Sequence, residues 1–392
     1  MRTDILILGG GIAGLNAAKA AKKQAPERKI TIISGEALPT YSRPMLTKIP
    51  LQRYQPEPTV VEPLSWYQEN QIDLHLSCRV QAISPMNKTV TTSVGSIQYE
   101  KCIYALGADN FVPPFPGKNL PGVFSIRTER DMADIRRHSM GAENAVVIGG
   151  GVIGLEAAYM LREHGMNVTV LETAPYLMPR LLDEASAREL QRRMTQLRII
   201  TAAKVTEIGG TDRVAWVGVE GEAPIPADVV IISCGVRANV SLARDAGIAT
   251  DRAVIVDERM RTSVPDIYAC GDCAQYQGVN TSLWAQASAE GTIAGTNAAG
   301  GDAVYTGSDM SLLLHCSEFD LFSTGDLGKK PGHVYEEKTQ TLVRKPLFEV
   351  NSRENRAFVR DFCENGKLVG TFVLGDLSLM QEKNSEIFGG TP

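Results

Sequence analysis

Two glycine clusters carry the strongest chemical signal in this 392-residue chain: ILILGGGIAGL at residues 5 to 15 and VVIGGGVIGLE at residues 146 to 156. Each has the G-x-G-x-x-G spacing, through Gly9, Gly11 and Gly14 in the first and Gly149, Gly151 and Gly154 in the second. In such a turn the first glycine allows a tight bend, the second lets a pyrophosphate reach the backbone, and the third lets the helix pack closely on the strand. Backbone N–H groups and the positive end of the helix dipole then hold phosphate without a charged side chain. One copy is weak evidence. Two copies, each leaving a β-branched apolar strand for an Ala-rich helical pattern, point to two bound dinucleotides.

Carboxylates and thiols near these clusters add detail. Glu172 ends the strand after the second cluster, where a carboxylate accepts hydrogen bonds from both ribose hydroxyls and repels a 2′-phosphate; it favours NADH over NADPH. Ser34 stands at the matching strand end of the first unit. Glu36, two residues on, is the ribose candidate there, with a solvated loop carboxylate as the competing explanation. Glu156 follows Gly154 by two positions. It gains from the helix dipole, but beside an anionic pyrophosphate it needs a cation to draw it away. Cys270 and Cys273 have the C-x-x-C spacing of a redox dithiol. Zinc is not expected, nor any other metal, because a second ligand pair is missing and the five histidines are scattered.

Presenting these residues requires alternating strands and helices. Residues 4 to 8 read as a buried parallel strand, 13 to 25 as a helix stopped by Pro26, and 29 to 34 as the next strand. The second unit repeats this with a strand at 146 to 148, a helix to about His164 with Gly165 as its stop, and a strand at 168 to 171. A further strand, 266 to 269, leads into Gly271 and Asp272, followed by a small-residue helix over 282 to 299. Beyond residue 310 short strands take over, including a hairpin turning at Asn365 and Gly366.

Composition bounds the class. With 43% hydrophobic and 22% charged residues and a net charge of −5, the chain can build two or three domain cores and lacks the basic tracts that nucleic acid requires. Seven scattered cysteines do not make a disulfide framework, so a reducing, cytoplasmic location is expected. No apolar run approaches the roughly 20 residues needed to cross a bilayer. The apolar stretch after Arg2 superficially mimics a signal peptide, but Asp4 interrupts it and the glycine spacing accounts for it.

Five segments in order, GGGIAG at 9 to 14, YSRPMLTK at 41 to 48, YALGADNFVPPFPG at 104 to 117, GGGVIGLE at 149 to 156 and TSVPDIYACGD at 262 to 272, resemble one family. Residues 1 to 310 look like the FAD- and NAD-linked reductases of the glutathione reductase superfamily, in the branch of NADH:rubredoxin and ferredoxin reductases. The resemblance implies an α/β fold with two Rossmann-like dinucleotide-binding domains plus a small α+β C-terminal domain. Residues 1–110 and 241–310 would bind FAD, 111–240 would bind NADH as an insertion, and 311–392 would form the C-terminal domain. PPFPG marks the exit from the flavin domain and IISCGVRAN, at 231 to 239, the way back.

The residues expected to contact the two cofactors are Gly9, Gly11, Ala13, Gly14, Glu36, Arg43, Pro44, Lys48, Val80, Ala105, Gly107, Arg127, Gly149, Gly151, Val152, Ile153, Gly154, Glu156, Glu172, Gly235, Gly271, Asp272 and Trp284. The resemblance implies that Arg43, Pro44 and Lys48 lie along the flavin, with Arg127 as a further flavin contact and Trp284 near the ring. Asp272 would hold hydroxyls of the ribityl-phosphate part, and the helix opening at LWAQASAEG would aim its N-terminus at flavin N1 and O2. Lys48 and Glu156, the expected catalytic pair, would meet near flavin N5, which supplies the cation that Glu156 needs.

Position argues against a redox disulfide at Cys270 and Cys273, since Gly271 and Asp272 between them belong to the flavin strand. YSRPMLTK also lacks the cysteine that peroxidase-like and oxidase-like relatives carry. The expected activity is therefore hydride transfer from NADH to FAD and single-electron transfer to a small iron protein such as rubredoxin. An NADH oxidase or peroxidase is the nearest alternative. A slow redox-sensing flavoprotein resembling apoptosis-inducing factor is another. Monomer and homodimer both fit; Lys329, Lys330, Arg344 and Lys345 are candidates for steering an acidic carrier.

Overall fold

A computed structural model describes residues 1–55, 59–307, 311–330, 332–343 and 356–389. Arg344 and Lys345 lie outside the described residues. The chain divides into two compact units, one of residues 1–46, 55–111 and 236–308, the other of residues 47–54, 112–235 and 309–392.

The first unit is built on a parallel sheet. Arg2–Leu8 is central, with Ile30–Ile33 and then Ile72–His75 on one side, and Gly95–Tyr104 and then Ile267–Ala269 on the other. Its strands are continuous apolar runs such as ILIL and ITII because helices cover a doubly wound sheet on its faces. Strand order reverses direction between Arg2–Leu8 and Gly95–Tyr104, and ligands of open α/β sheets bind at the carboxyl ends of strands flanking such a reversal. Val80–Ser84 and Thr89–Thr92 extend Gly95–Tyr104 as an antiparallel hairpin. Ala108–Asn110 pairs with Val236–Ala238, joining the two ends of the segment that leaves and re-enters this unit.

Helices Ile12–Gln24 and Trp284–Ala298 pack at backbone distance. A Cβ on Gly291 would lie 2.2 Å from the Ala13 carbonyl oxygen, and one on Gly295 would lie 2.0 Å from that of Ala17. The first helix has the expected length but begins and ends one residue earlier than the sequence pattern predicts, whereas the second is shorter than the expected 282–299. Gly11 is the N-cap of the first, which ends at Gln24, and Ser282, with φ +52°, keeps the second from starting before Trp284. Asp266 is likewise not a strand residue. It adopts φ +66°, and its carboxylate pairs with Lys88 and Lys101 at 2.5 Å each.

The second unit repeats the plan. Arg198–Ile200, Asn167–Leu171, Asn144–Ile148, Val229–Ile232 and Val123–Phe124 form a parallel sheet in that order. Helix Val152–Glu163 follows the glycine loop, and Val205–Gly209, Trp216–Val219 and Ile225–Pro226 make a three-stranded antiparallel sheet. The C-terminal residues form a five-stranded antiparallel sheet closed by helix Met380–Phe388. Its hairpin Arg356–Glu364 and Lys367–Leu374 turns at Asn365 and Gly366 as the sequence predicts. Inside, Lys383 donates to Asp361 at 2.7 Å and Thr371 to the same carboxylate at 2.6 Å, which satisfies a buried charge. Among the described residues no helix is long and apolar enough to cross a membrane.

The helix contact in the first unit yields a stability prediction. Gly295→Ala gains up to about 1 kcal/mol of helix propensity. The added methyl meets backbone, which cannot rotate away, so overpacking of about 1–3 kcal/mol is expected to prevail. The urea midpoint should fall; an unchanged or raised midpoint would show that the helices separate freely.

Candidate functional site

The two glycine loops have nearly the same geometry. Gly9, at φ +121°, leaves a Cβ position 2.0 Å from the Ala105 carbonyl oxygen, and Gly149, at φ +115°, leaves one 2.2 Å from that of Ser233. Neither turn could carry a side chain. Gly14 and Gly154 sit 2.0 Å, on the same measure, from the carbonyl oxygens of Gly9 and Gly149. Gly11 and Gly151 face open space and cap helices with no acidic residue in the first turn; Glu156 lies past that turn, where the dipole gain expected for it has fallen off. Each loop therefore leaves open space at a helix N-terminus whose unpaired N–H groups suit a pyrophosphate. Val152 and Ile153 open the second helix, and Ile153 stays 43% exposed beside the cradle.

What faces each cradle differs. In the second unit Glu172 accepts from the N–H groups of Gly150 and Ala174, both at 2.8 Å, which holds its carboxylate beside the loop. In the first unit Ser34 has that place, with its Oγ 2.7 Å from where a Gly10 Cβ would be. Glu36 sits elsewhere. It pairs with Arg43 and accepts from the Tyr41 hydroxyl, while the Arg43 guanidinium lies 5.1 Å from the Tyr41 ring centre. Burial works against the Arg43 charge, but Glu36, Tyr41 and Asp272 outweigh it and raise its pKa. Thr40, which sequence reasoning missed, donates to the Gly10 carbonyl at 2.9 Å.

Other expected flavin residues gather at the same sheet end. Ala105 and Gly107 follow Gly95–Tyr104, and Asn239 donates to the Gly107 carbonyl through its N–H and to the Leu106 carbonyl through its side chain, at 2.9 and 3.1 Å. Gly271 and Asp272 form a turn after Ile267–Ala269, in which a Gly271 Cβ would lie 2.9 Å from Ala13 Cβ. Trp284 is the first residue of its helix, and Pro44 lies in the short helix Arg43–Met45. Val80 starts its strand and packs on the core of the first unit.

Lys48, Arg127, Glu156 and Gly235 all belong to the second unit. Lys48 Nζ lies 3.9 Å from Glu156 Oε1, and the Thr47 hydroxyl donates to Glu156 Oε2 at 2.5 Å. Glu156 is buried. Burial raises its pKa above the ordinary carboxylate value, and Thr47 and Lys48 pull it back. Arg127 precedes the capping box of helix Glu129–His138, and its N–H donates to Asp131 at 2.9 Å.

Cys270 and Cys273 are fully buried. Burial pushes the Cys273 thiol up to about 12 and the Cys270 thiol well above its ordinary value. Reactive thiols are exposed and ionised, and these are neither.

Two cradled glycine loops on doubly wound sheets, one faced by a carboxylate, are the architecture of a protein that binds two dinucleotides. The chain belongs to the pyridine nucleotide-disulphide oxidoreductase family, whose model matches residues 3–291, and its cofactors are FAD and NADH. It is 32% identical to the NADH-rubredoxin oxidoreductase of Clostridium acetobutylicum over 383 residues, covering 96% of this chain and 92% of that protein. It is 31% identical to the NAD(P)H nitrite reductase of Bacillus subtilis (strain 168), covering 96% of this chain but only 46% of that longer protein. The NAD-dependent persulfide reductase of A. fulgidus has the same fold, with a TM-score of 0.91 at 26% identity over 100% of this chain and 77% of that one.

Glu172 carries a cofactor prediction. Removing a charged acceptor of ribose hydroxyls costs about 1.5–3 kcal/mol, so Glu172→Ala should lower the ratio of kcat/KM for NADH over NADPH by roughly 10- to 100-fold. The ratio separates selectivity from any loosening of the loop; an unchanged ratio would deny Glu172 that role. A second prediction concerns Lys48. Lys48→Met removes an influence that lowers the Glu156 pKa, so Glu156 should protonate at higher pH and the acid limb of the NADH-oxidation profile should move upward.

Proposed function

We propose that this chain takes hydride from NADH at its second glycine-loop unit and passes electrons through FAD to an external one-electron carrier, a small iron protein of the rubredoxin kind. Bound FAD supplies the conversion between two-electron and one-electron chemistry. The residues supply position and charge. The first cradle, Asp272 and Arg43 hold the flavin dinucleotide; the second cradle and Glu172 hold the nicotinamide dinucleotide. Lys48, paired with Glu156, would supply the cation expected near the reacting flavin atom, and the Thr47 hydroxyl holds the Glu156 carboxylate.

One observation carries this reading over a thiol-relay enzyme: the C-x-x-C pair is buried and its thiols stay protonated. Electrons then have no accessible protein sulfur to visit at that site, and an external acceptor takes them. The 32% identity with an NADH-rubredoxin oxidoreductase over 92% of its length supports the carrier class. Lys329 and Lys330 lie in the C-terminal segment of the second unit. Lys330 pairs with Asp326 at 3.7 Å, and Lys329 donates to the Pro179 carbonyl, which leaves Lys330, 65% exposed, as the better steering charge.

Anaerobic titration with NADH should bleach the flavin with two electrons per chain, and Cys270→Ser with Cys273→Ser should leave that number unchanged. Uptake of four electrons would indicate a redox disulfide. In stopped flow, reoxidation by rubredoxin should outpace reoxidation by oxygen or peroxide; the reverse order would make the chain an oxidase or peroxidase.

A further inference from the structure

Glu290 is a fully buried carboxyl on helix Trp284–Ala298, and the scheme above gives it no task. Its Oε2 accepts from the Gly271 N–H at 2.8 Å and its Oε1 from the Gln286 amide at 2.6 Å. Gln286 Oε1 accepts in turn from the Thr281 N–H at 3.0 Å and from the Thr281 hydroxyl. One hydrogen-bonded chain thus runs from the Gly271–Asp272 turn to the segment that leads into the amino end of the helix. Asn280, next to Thr281, donates its side-chain N–H to the Asp272 carbonyl at 2.8 Å, so both ends of this chain meet at the same turn.

We propose that Glu290 is a positioning residue of the flavin site, which fixes the Gly271–Asp272 turn and the helix entry together and binds one proton when the cofactor is reduced. The inference rests on the FAD reading above. Its logic is the donor count. An ionised carboxylate accepts from both Gly271 and Gln286, but a protonated one carries an O–H, and both neighbours are donors. The extra hydrogen fits if the Gln286 amide turns over: Oε1 then accepts the carboxyl O–H, the NH2 donates to the Thr281 hydroxyl oxygen, and the Thr281 N–H loses the acceptor it has now. Protonation at 290 is therefore felt at 281.

The local electrostatics favour this exchange. Burial, with a smaller push from the Asp272 carboxylate, raises Glu290 to about 7, against the pull of Gln286 and Gly271. The titratable neighbours are Asp272, the thiols of Cys270 and Cys273, and Cys102 and Tyr104 on the strand beneath; burial keeps the thiols and the phenol neutral. Helix Ile12–Gln24 brings Ala13 and Ala17 to the packed face, neither of them titratable. NADH delivers a hydride, two electrons and one proton, so the bound flavin gains one negative charge. Glu290 takes one further proton from solvent, passing from carboxylate to acid. Overall, NADH, oxidised FAD and one proton become NAD⁺ and two-electron-reduced FAD, with the proton on Glu290.

The test is the flavin midpoint potential of the holoenzyme, followed by spectroelectrochemistry across the neutral pH range. Added negative charge raises the Glu290 pKa in the reduced state. The wild-type potential should therefore fall more steeply just above pH 7, by one additional proton per two electrons. Glu290→Gln fixes the neutral arrangement: its potential should match wild type at lower pH and lie progressively above it at higher pH. Parallel curves, even if offset, would overturn the proposal and leave Glu290 a packing residue. Gln286→Met tests it without altering the carboxyl. Loss of a donor to the ionised form should move the wild-type break to higher pH, and an unmoved break would also overturn it. Protein that shows no flavin absorbance after FAD supplementation would fail earlier, by overturning the cofactor reading itself.

Discussion

The structure depends on two places where backbone must touch backbone. At Gly9 and Ala105, and again at Gly149 and Ser233, the end of one central strand bends against the residue that leaves its neighbour, at a distance that no Cβ tolerates. Gly14 and Gly154 repeat the constraint one helical turn later. With the strand, the turn and the helix start pinned this closely, the amino end of the helix has one available direction, over the carboxyl edge of the sheet. Gly11 and Gly151 are the residues left facing open space there. Phosphate binding is thus a consequence of packing before it is one of charge.

Given equal cradles, the side chains around them decide what each holds. A carboxylate tied to the loop by two N–H groups stands beside the second cradle, and a small hydroxyl stands beside the first. Glu172 is already oriented by two N–H groups, so a ribose bound there would find an acceptor in place at little cost in side-chain entropy. The acid of the first unit, Glu36, is committed to Arg43 and Tyr41. Any effect it has on a dinucleotide would be exerted through the guanidinium it anchors, whose charge Asp272 also stabilises.

The fold was legible because both periodicities that define it are local: apolar runs ending in glycine, then small-residue helical patterns. Lys48 and Glu156 were legible only through the family resemblance, and the 3.9 Å between them involves residues more than a hundred positions apart. Thr47, Thr40, Gln286 and Glu290 carried no sequence signal, since a threonine or a helical glutamate looks like any solvated residue until burial is known. The boundary errors have a common cause. Asp266 and Ser282 adopt left-handed conformations outside glycine. Asp266 is held by two lysines, whereas the Ser282 N–H and hydroxyl are tied to Asn280, and neither constraint is visible in a hydrophobic pattern.

Cys270, Cys273 and Glu290 show how one physical effect has opposite chemical outcomes. All three are buried in the same core, and in each case loss of water is the largest influence on the proton. A thiol starts near 9, so desolvation carries Cys273 to about 12 and removes it from chemistry at neutral pH. A carboxyl starts at 4.5, so the same effect carries Glu290 to about 7, where a change of one charge nearby can alter its state. Burial therefore moves the thiols of the C-x-x-C motif away from neutrality and brings the carboxyl of an ordinary-looking helical glutamate toward it. In this protein the group suited to answer a change of flavin charge is a carboxyl, and the C-x-x-C spacing reflects a turn that Gly271 and Asp272 already define.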